Sequence, residues 1–181
     1  CVYVGDEEAG DAVQTAYLKY NYPAEYMTAL LSVSKHETEK VALYANDARQ
    51  MRVEVLPPDV NASGWDFAIE PYDGKDAIRF GLGAIKNVGQ NSVDAIVKAR
   101  AEGVPFKDLN EFAARVDLRV VGKRALECLI KVGALNALGH PAQLLVALDD
   151  VLAAAQADQR ERASGQISFF DLAAEPASLE A

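Results

Sequence analysis

The sequence predicts a mainly α-helical fold that contains a small β-hairpin. Over most of the chain the apolar residues recur at helical spacing, as Val93, Ile96 and Val97 do. Residues 53–80 instead contain short alternating runs and the turn sequence Pro71-Tyr72-Asp73-Gly74. With 181 residues, 50% of them hydrophobic, the chain can bury a sizeable core without disulfides.

Three helices are predicted before the alternating runs. Asp11–Tyr20 and Ala24–Ser34 are separated by Pro23, a residue that starts a helix more readily than it continues one. The third helix runs from Glu37 to about Arg49 and has a mixed apolar face. A brief strand over Val53–Leu56 then ends at a pair of prolines.

The predicted β-hairpin is followed by a helical hairpin. Two strands, Asp66–Glu70 and Ala77–Phe80, flank the turn. From Gly81 the spacing is helical again: a short helical face with Leu82 and Ile85 is broken at residues 87–89. A second helix, Ser92–Arg100, completes this unit.

The helical pattern then roughly repeats. Leu109–Arg115 is predicted as a helix, Val116–Gly122 as a tight connection and Lys123–Val132 as a second helix, with Gly133 at its C-terminal stop. A longer amphipathic helix is expected from Pro141 to about Ala163, before an acidic tail.

Charge is distributed unevenly along the chain. The net charge of −9 argues by itself against a nucleic-acid partner. Between Lys75 and Gly133, however, 11 Lys or Arg residues stand against 7 Asp or Glu residues, so this part is basic and the remainder strongly acidic. A local positive surface keeps its effect because salt limits surface potentials to a range of about 8 Å.

Several classes of protein are disfavoured. The apolar stretches are far shorter than the roughly 20 residues that a membrane span requires, so no membrane partner is expected. Cys1 and Cys128 form no disulfide framework, which fits a reducing cytoplasm. With two histidines in the chain, no metal-ligand spacing is recognisable, and no metal site is predicted.

The segment Leu82–Gly89 fits the helix-hairpin-helix pattern, with Asn87 in place of the first hairpin glycine. Asparagine is among the residues that best tolerate left-handed backbone. Such a hairpin directs backbone N–H groups and the start of its second helix at a phosphate, so it binds nucleic acid without reading bases. An ordinary helical turn at Gly89 explains a single motif equally well.

Two sets of residues are therefore candidates for contact with the DNA backbone. The first hairpin supplies Lys86, Asn87, Val88, Gly89 and Gln90, and Gly89 is expected at a positive φ that a valine could not adopt cheaply. The second set lies around the next connection, where a solvated charged face is the alternative to a second phosphate-binding hairpin. It comprises Arg119, Lys123 and Arg124, with Arg115 in the same basic cluster.

Several runs of residues resemble the bacterial C-family replicative DNA polymerases. In chain order they are Thr15–Lys19, Tyr22–Leu31, Val55–Val60, Ile78–Gly89, Phe106–Leu109, Val116–Arg119 and Lys123–Ile130. The resemblance covers nearly everything from Val13 to Leu172. The acidic residues 1–10 depart from the family, which usually has a basic stretch containing Ser-His-Ala there, so Lys19 and Tyr20 receive no nucleotide-facing role.

The resemblance implies a helical fingers segment followed by a tandem helix-hairpin-helix unit. By this likeness the chain divides into the C-terminal part of the fingers (1–57, with 1–10 atypical), a strand and hairpin connection (58–80), the tandem helix-hairpin-helix region (81–139), an amphipathic helix (140–163) and a tail (164–181). The palm, whose aspartates hold magnesium for nucleotidyl transfer, would lie elsewhere in the parent enzyme. The chain alone is therefore expected to be inactive and to hold no cofactor.

The tail contains a second motif. Gln166-Ile167-Ser168-Phe169-Phe170 resembles the pentapeptide by which replication proteins bind the bacterial sliding clamp. Two adjacent apolar anchors can fill a surface pocket while the glutamine bonds at its rim. Packing of both phenylalanines on the preceding helix is the alternative.

The expected partners are duplex DNA, as primer and template, the sliding clamp and other replicase subunits. Two other classes of function compete with this interpretation. A stand-alone helix-hairpin-helix protein of recombination or repair would bind DNA without needing the N-terminal helices or the pentapeptide. An acidic helical interaction module would not bind DNA at all, and a gel shift at low salt separates it from the other two.

Overall fold

The computed structural model describes residues 6–163, and their secondary structure is mainly helical with one small sheet. The predicted fold class is therefore confirmed. The helices are α1 (Asp6–Asn21), α2 (Pro23–Val33), α3 (Thr38–Gln50), α4 (Gln90–Ala101), α5 (Leu109–Arg115), α6 (Leu118–Val121), α7 (Lys123–Lys131) and α8 (Pro141–Ala163). Single 3₁₀ turns lie at Leu82–Ala84 and Asn136–Leu138.

The sheet has three strands in the order β1-β3-β2. They are β1 (Glu54–Leu56), β2 (Ala68–Tyr72) and β3 (Lys75–Arg79). The central strand β3 pairs parallel with β1 and antiparallel with β2. The predicted single hairpin is thus extended by β1.

The register of the hairpin differs from the sequence prediction. Its turn is formed by Asp73 and Gly74 alone, with φ values of 51° and 74°, and not by four residues. Two consecutive positive φ values match the right-handed twist of the strands, which makes Asp-Gly a favoured two-residue turn. Pro71 consequently lies inside β2, where it is tolerated because β2 is an edge strand.

One hydrophobic cluster joins α2 and α3 to the sheet. Met27, Leu31, Ala48 and Ile78 have no exposed surface in it. Residues 11–21 of α1, by contrast, are all exposed. The N-terminal half of the described chain therefore folds around the sheet, with residues 11–21 outside its core.

A second, larger cluster lies among the helices from α4 to α8. Its fully buried side chains include Ile96, Phe112, Leu126 and Leu129. Leu148 secures α8 to the same cluster. The helices that carry the candidate hairpins thus share one core.

The loop after β1 joins the two clusters. Val60 is fully buried in the second cluster and donates its N–H to the carbonyl of Ala134 at 2.9 Å. The Asn61 side chain accepts from the Phe106 N–H at 2.8 Å and donates to the Phe106 carbonyl at 3.0 Å. Arg100 of α4 donates to the carbonyls of Val60 and Ser63, both at 3.0 Å.

Position 61 should require an amide side chain, because Asn61 both donates and accepts a hydrogen bond. In Asn61→Asp the acceptor for the Phe106 N–H remains, but a carboxylate oxygen faces the Phe106 carbonyl. We expect a loss of about 1–3 kcal/mol in the free energy of unfolding, the usual cost of leaving a buried polar group unpaired. Urea denaturation measures this loss.

Asn46→Asp is the matched control, because Asn46 is exposed on α3 and the substitution adds the same charge. It should change the free energy of unfolding by less than about 0.5 kcal/mol. Equal effects of the two substitutions would mean that the bonds between Asn61 and Phe106 do not hold the loop.

Candidate nucleic-acid interface

The first hairpin connects the 3₁₀ turn Leu82–Ala84 to α4. Its left-handed residue is Asn87, with φ 65°, as the sequence suggested for the position of the missing glycine. Val88 is buried and donates its N–H to the Ile85 carbonyl at 3.2 Å. Val88 therefore shapes the turn from inside and does not face solvent.

The prediction of a positive φ at Gly89 is wrong. Gly89 has φ −88° and ψ 162°, an extended conformation open to any residue, and it directly precedes the first residue of α4. A Cβ added to Gly89 would meet no atom within 4 Å. Because Asn87 already provides the reversal, a side chain at Gly89 would obstruct only a group that approaches from outside.

The second hairpin is tighter than the first. The connection predicted over Val116–Gly122 contains the short helix α6, so α6 and not α5 is the first helix of this hairpin. The Asp117 side chain initiates α6 by accepting the Arg119 N–H at 3.0 Å. Gly122 alone connects α6 to α7, with φ 77°, a conformation that favours glycine.

The two hairpins pack against each other. The Ser92 hydroxyl in the first turn of α4 donates to the Val120 carbonyl of α6 at 3.2 Å. The Asn87 side-chain amide donates to the Cys128 sulfur of α7 at 3.4 Å. The start of α4 therefore lies beside α6, which Gly122 connects to the start of α7.

Helices α4 and α7 also begin in the same way. Each follows a glycine, Gly89 or Gly122, and neither has a side-chain cap. The intervening helices α5 and α6 are instead capped by Asp108 and Asp117. First-turn N–H groups without an internal acceptor, at the positive end of the helix dipole, form a binding site for anions.

The polar residues predicted to contact DNA differ in whether they already bond to another residue of the chain. Lys86, Gln90 and Arg124 are exposed beside the two hairpins. Arg119 is also exposed but hydrogen-bonds the Asp117 carboxylate at 3.3 Å, which holds the pKa of Asp117 below its ordinary value.

Lys123, the first residue of α7, has a partner that the sequence did not indicate. Its ammonium lies 2.6 Å from the carboxylate of Asp149 on α8. The hydrogen bond and the charge of Asp149 raise the pKa of Lys123. No local pattern predicts this contact because it depends on how α7 and α8 pack.

Arg115, grouped with the second basic cluster in the sequence, has a structural role. It donates to the carbonyls of Val104 and Ala99, both at 2.7 Å, and pairs with Glu111 at 2.8 Å. Its guanidinium also stacks 4.5 Å from the centre of the Phe106 ring. The four-residue spacing from Glu111 to Arg115 was the available sequence signal for this role.

The tail motif Gln166–Phe170 lies outside the described residues and stays a prediction. Within residues 6–163, no helix combines the length and the hydropathy needed to cross a membrane. The described side chains likewise contain no group of three or more His, Cys, Asp or Glu residues placed to hold a metal ion.

Two adjoining hairpins whose second helices start at glycines define a helix-hairpin-helix protein. A family model described as "Helix-hairpin-helix motif" matches residues 52–144, about half of the chain, and the chain belongs to that family. Comparison with individual proteins identifies a narrower group of relatives. It is 49% identical over 169 residues to the DNA polymerase III subunit alpha of Thermus aquaticus, 44% over 159 residues to that of Deinococcus radiodurans, and 42% over 158 residues to that of Vibrio cholerae.

These similarities confirm the resemblance to the bacterial replicative polymerases. The alignments cover 93% of this chain for the Thermus protein and 87% for the other two. They cover 12–13% of the relatives, so the chain spans about an eighth of their length. Similarity over so much of the chain favours a segment of such a subunit over a stand-alone helix-hairpin-helix protein.

The pair Asp117 and Arg119 predicts an acid-dependent loss of stability. A carboxyl group whose pKa is lowered in the folded state stabilises the fold above its ordinary pKa of about 3.9, and this contribution is lost as the pH falls through the lowered value. Asp117→Asn should therefore flatten the fall in the free energy of unfolding below about pH 4. Urea denaturation from pH 7 to pH 2.5 measures the difference.

The effect should stay below about 1 kcal/mol because the pair is solvent-exposed. At neutral pH the variant should be close to wild type, since asparagine can also cap a helix. Asp150→Asn, on the exposed face of α8, controls for the loss of one negative charge. Identical acid profiles for wild type and Asp117→Asn would contradict the stabilising role of the pair.

Proposed function

We propose that this chain is a segment of a bacterial replicative DNA polymerase that binds the backbone of duplex DNA and carries a peptide for the sliding clamp. The observation that carries the first half is that the second helices of two adjoining hairpins, α4 and α7, each begin at a glycine without a side-chain cap. The second half depends on the sequence of Gln166–Phe170.

Binding through the hairpins would be independent of base sequence. Backbone N–H groups at the starts of α4 and α7 recognise phosphate oxygens, which are the same at every nucleotide. Lys86, Lys123 and Arg124 add positive charge beside them. The net charge of −9 does not prevent this because its acidic residues lie mostly outside residues 75–133.

The activity of the whole polymerase is part of the proposal. The parent reaction would be template-directed nucleotidyl transfer, with magnesium held by a palm outside this chain. Residues 1–57 would then belong to the fingers, and other replicase subunits in the cytoplasm would be further partners. This segment contributes the hold on DNA and the link to the sliding clamp.

Gly89→Ala tests the hairpin mechanism without adding or removing charge. In wild type, three neutralised phosphates should give a slope of log K against log salt near −3, from about −0.9 for each phosphate. The added methyl group has free space in the protein and would collide only with an approaching phosphate. We therefore expect weaker duplex binding with an unchanged salt slope, measured by fluorescence anisotropy.

Gly64→Ala is the matched control. A Cβ at Gly64 also meets no atom within 4 Å, and Gly64 belongs to neither hairpin. It should leave DNA affinity unchanged. A duplex affinity that depends on neither salt nor the Gly89 substitution would overturn the proposed mode of binding.

Asp149 should compete with DNA for Lys123. Asp149→Asn removes the carboxylate that lies 2.6 Å from the lysine ammonium, so the lysine can face a phosphate. Solvent weakens an exposed ion pair, so duplex affinity should rise by about a few-fold at most. Asp150→Asn removes the same charge from the next residue of α8.

The comparison separates the specific contact from general repulsion. Asp149→Asn should tighten binding more than Asp150→Asn, and Lys123→Ala should abolish the difference between them. Equal gains from both substitutions would mean that Asp149 acts only through its charge at a distance.

The two phenylalanines of the tail should anchor this chain in the pocket of the sliding clamp. Replacing Phe169 and Phe170 together by alanine should cost at least about 2 kcal/mol, or some thirtyfold in affinity for the clamp. Ile167 and Gln166 should contribute less. Isothermal titration of the cognate clamp with both forms of the chain measures the loss.

Duplex binding by the hairpins should be the same in this double variant. Equal affinities for the clamp would remove the assignment of the pentapeptide. Loss of the thermal unfolding transition in the variant would instead favour packing of the phenylalanines on the chain itself.

A further inference from the structure

The end of α3 contains an arginine in a conformation that usually belongs to glycine. Arg52 has φ 62° and directly follows Met51, the C-cap residue of α3. The N–H of Val53 bonds to the Ala48 carbonyl at 3.0 Å across this residue, which is the closing bond of a Schellman motif. Glycine adopts the left-handed position of this motif without steric cost, whereas arginine does not.

A second arginine, Arg49, lines a groove together with Arg52. Arg49, Arg52, Val53, Glu54 and Val55 line a cavity of about 370 Å³ beside β1. Its walls therefore carry two positive charges and one negative charge. Among the residues that the structure describes, neither guanidinium forms an ion pair.

The groove is separate from the candidate DNA interface. Its lining residues lie at the end of α3, in the connection that follows and at the start of β1, and none belongs to either helical hairpin. The strand β1 is an edge of the sheet, so one side of its backbone faces away from β3.

We propose that Arg49 and Arg52 form a binding site for a phosphate group. A guanidinium offers a planar set of N–H donors that matches phosphate oxygens, and two of them can bind one phosphate from two sides. The site would explain why arginine occupies the left-handed position, since Arg52 lines the groove from this turn. Glu54 limits the affinity, because its carboxylate repels the same anion.

Arg52→Gly separates this role from a structural one. Glycine relieves the strained backbone and removes the guanidinium, so the variant should unfold at a higher temperature than wild type and yet bind phosphate less tightly. Isothermal titration of the full chain with inorganic pyrophosphate at low ionic strength should show a loss of about tenfold or more, the size expected for one charge-assisted hydrogen bond.

Four further variants sharpen the test. Arg49→Ala should also weaken pyrophosphate binding, and Glu54→Gln should strengthen it. Lys75→Ala removes one positive charge from the sheet outside the groove and should have no effect. Because the hairpins can also bind pyrophosphate, Gly89→Ala is combined with Arg52→Gly. The loss caused by Arg52→Gly should be the same in wild type and in the Gly89→Ala variant, so this proposal can fail or succeed independently of duplex binding by the hairpins.

A parallel titration with a single-stranded oligonucleotide lacking a terminal phosphate identifies the source of the phosphate group. A tenfold loss in Arg52→Gly for the oligonucleotide indicates a nucleic-acid backbone, and a loss for pyrophosphate alone indicates a free phosphate compound. No binding of either probe, or equal binding by wild type, Arg52→Gly and Arg49→Ala, would overturn the proposal.

Discussion

The hydrogen bonds of the loop after β1 determine how the two halves of the described chain are arranged. Three groups from distant segments, the Arg100 guanidinium, the Phe106 backbone and the Ala134 carbonyl, all bond to residues 60–63. These partners satisfy backbone polar groups that burial of Val60 removes from water. They fix the loop after β1 as one of two connections between the sheet and the helical hairpins, the other running from β3 through Phe80.

Local signals were sufficient where neighbours in sequence decide the conformation. The helix Leu109–Arg115 was predicted with its observed bounds, and in the structure Asp108, its neighbour in sequence, caps its start. Gly133 takes the positive φ expected at the end of α7, and Asn87 does so in the first hairpin. The hairpin register was missed because Pro71 suggested a turn and is instead accommodated on an edge strand.

Contacts between distant residues could not be read from the sequence. The contact from Ser92 to Val120 and the pair between Lys123 and Asp149 arise only when α4, α6, α7 and α8 are packed together. The expectation of a positive φ at Gly89 was wrong because a motif can require glycine for two different reasons. One is a positive φ, and the other is the close approach of a group from outside the protein. The extended backbone of Gly89 and the open space around it favour the close approach of an external group.

Phe80 gives the connection between sheet and hairpin a mechanical character. It directly follows β3, it contacts side chains of both hydrophobic clusters, and its ring lies 4.7 Å from that of Phe67. Gly81 comes next and packs so closely on the backbone of Asp66 that a Cβ there would lie 2.6 Å from it. No flexible linker separates β3 from the first hairpin. A force that pulls on the hairpin is therefore expected to act directly on the sheet.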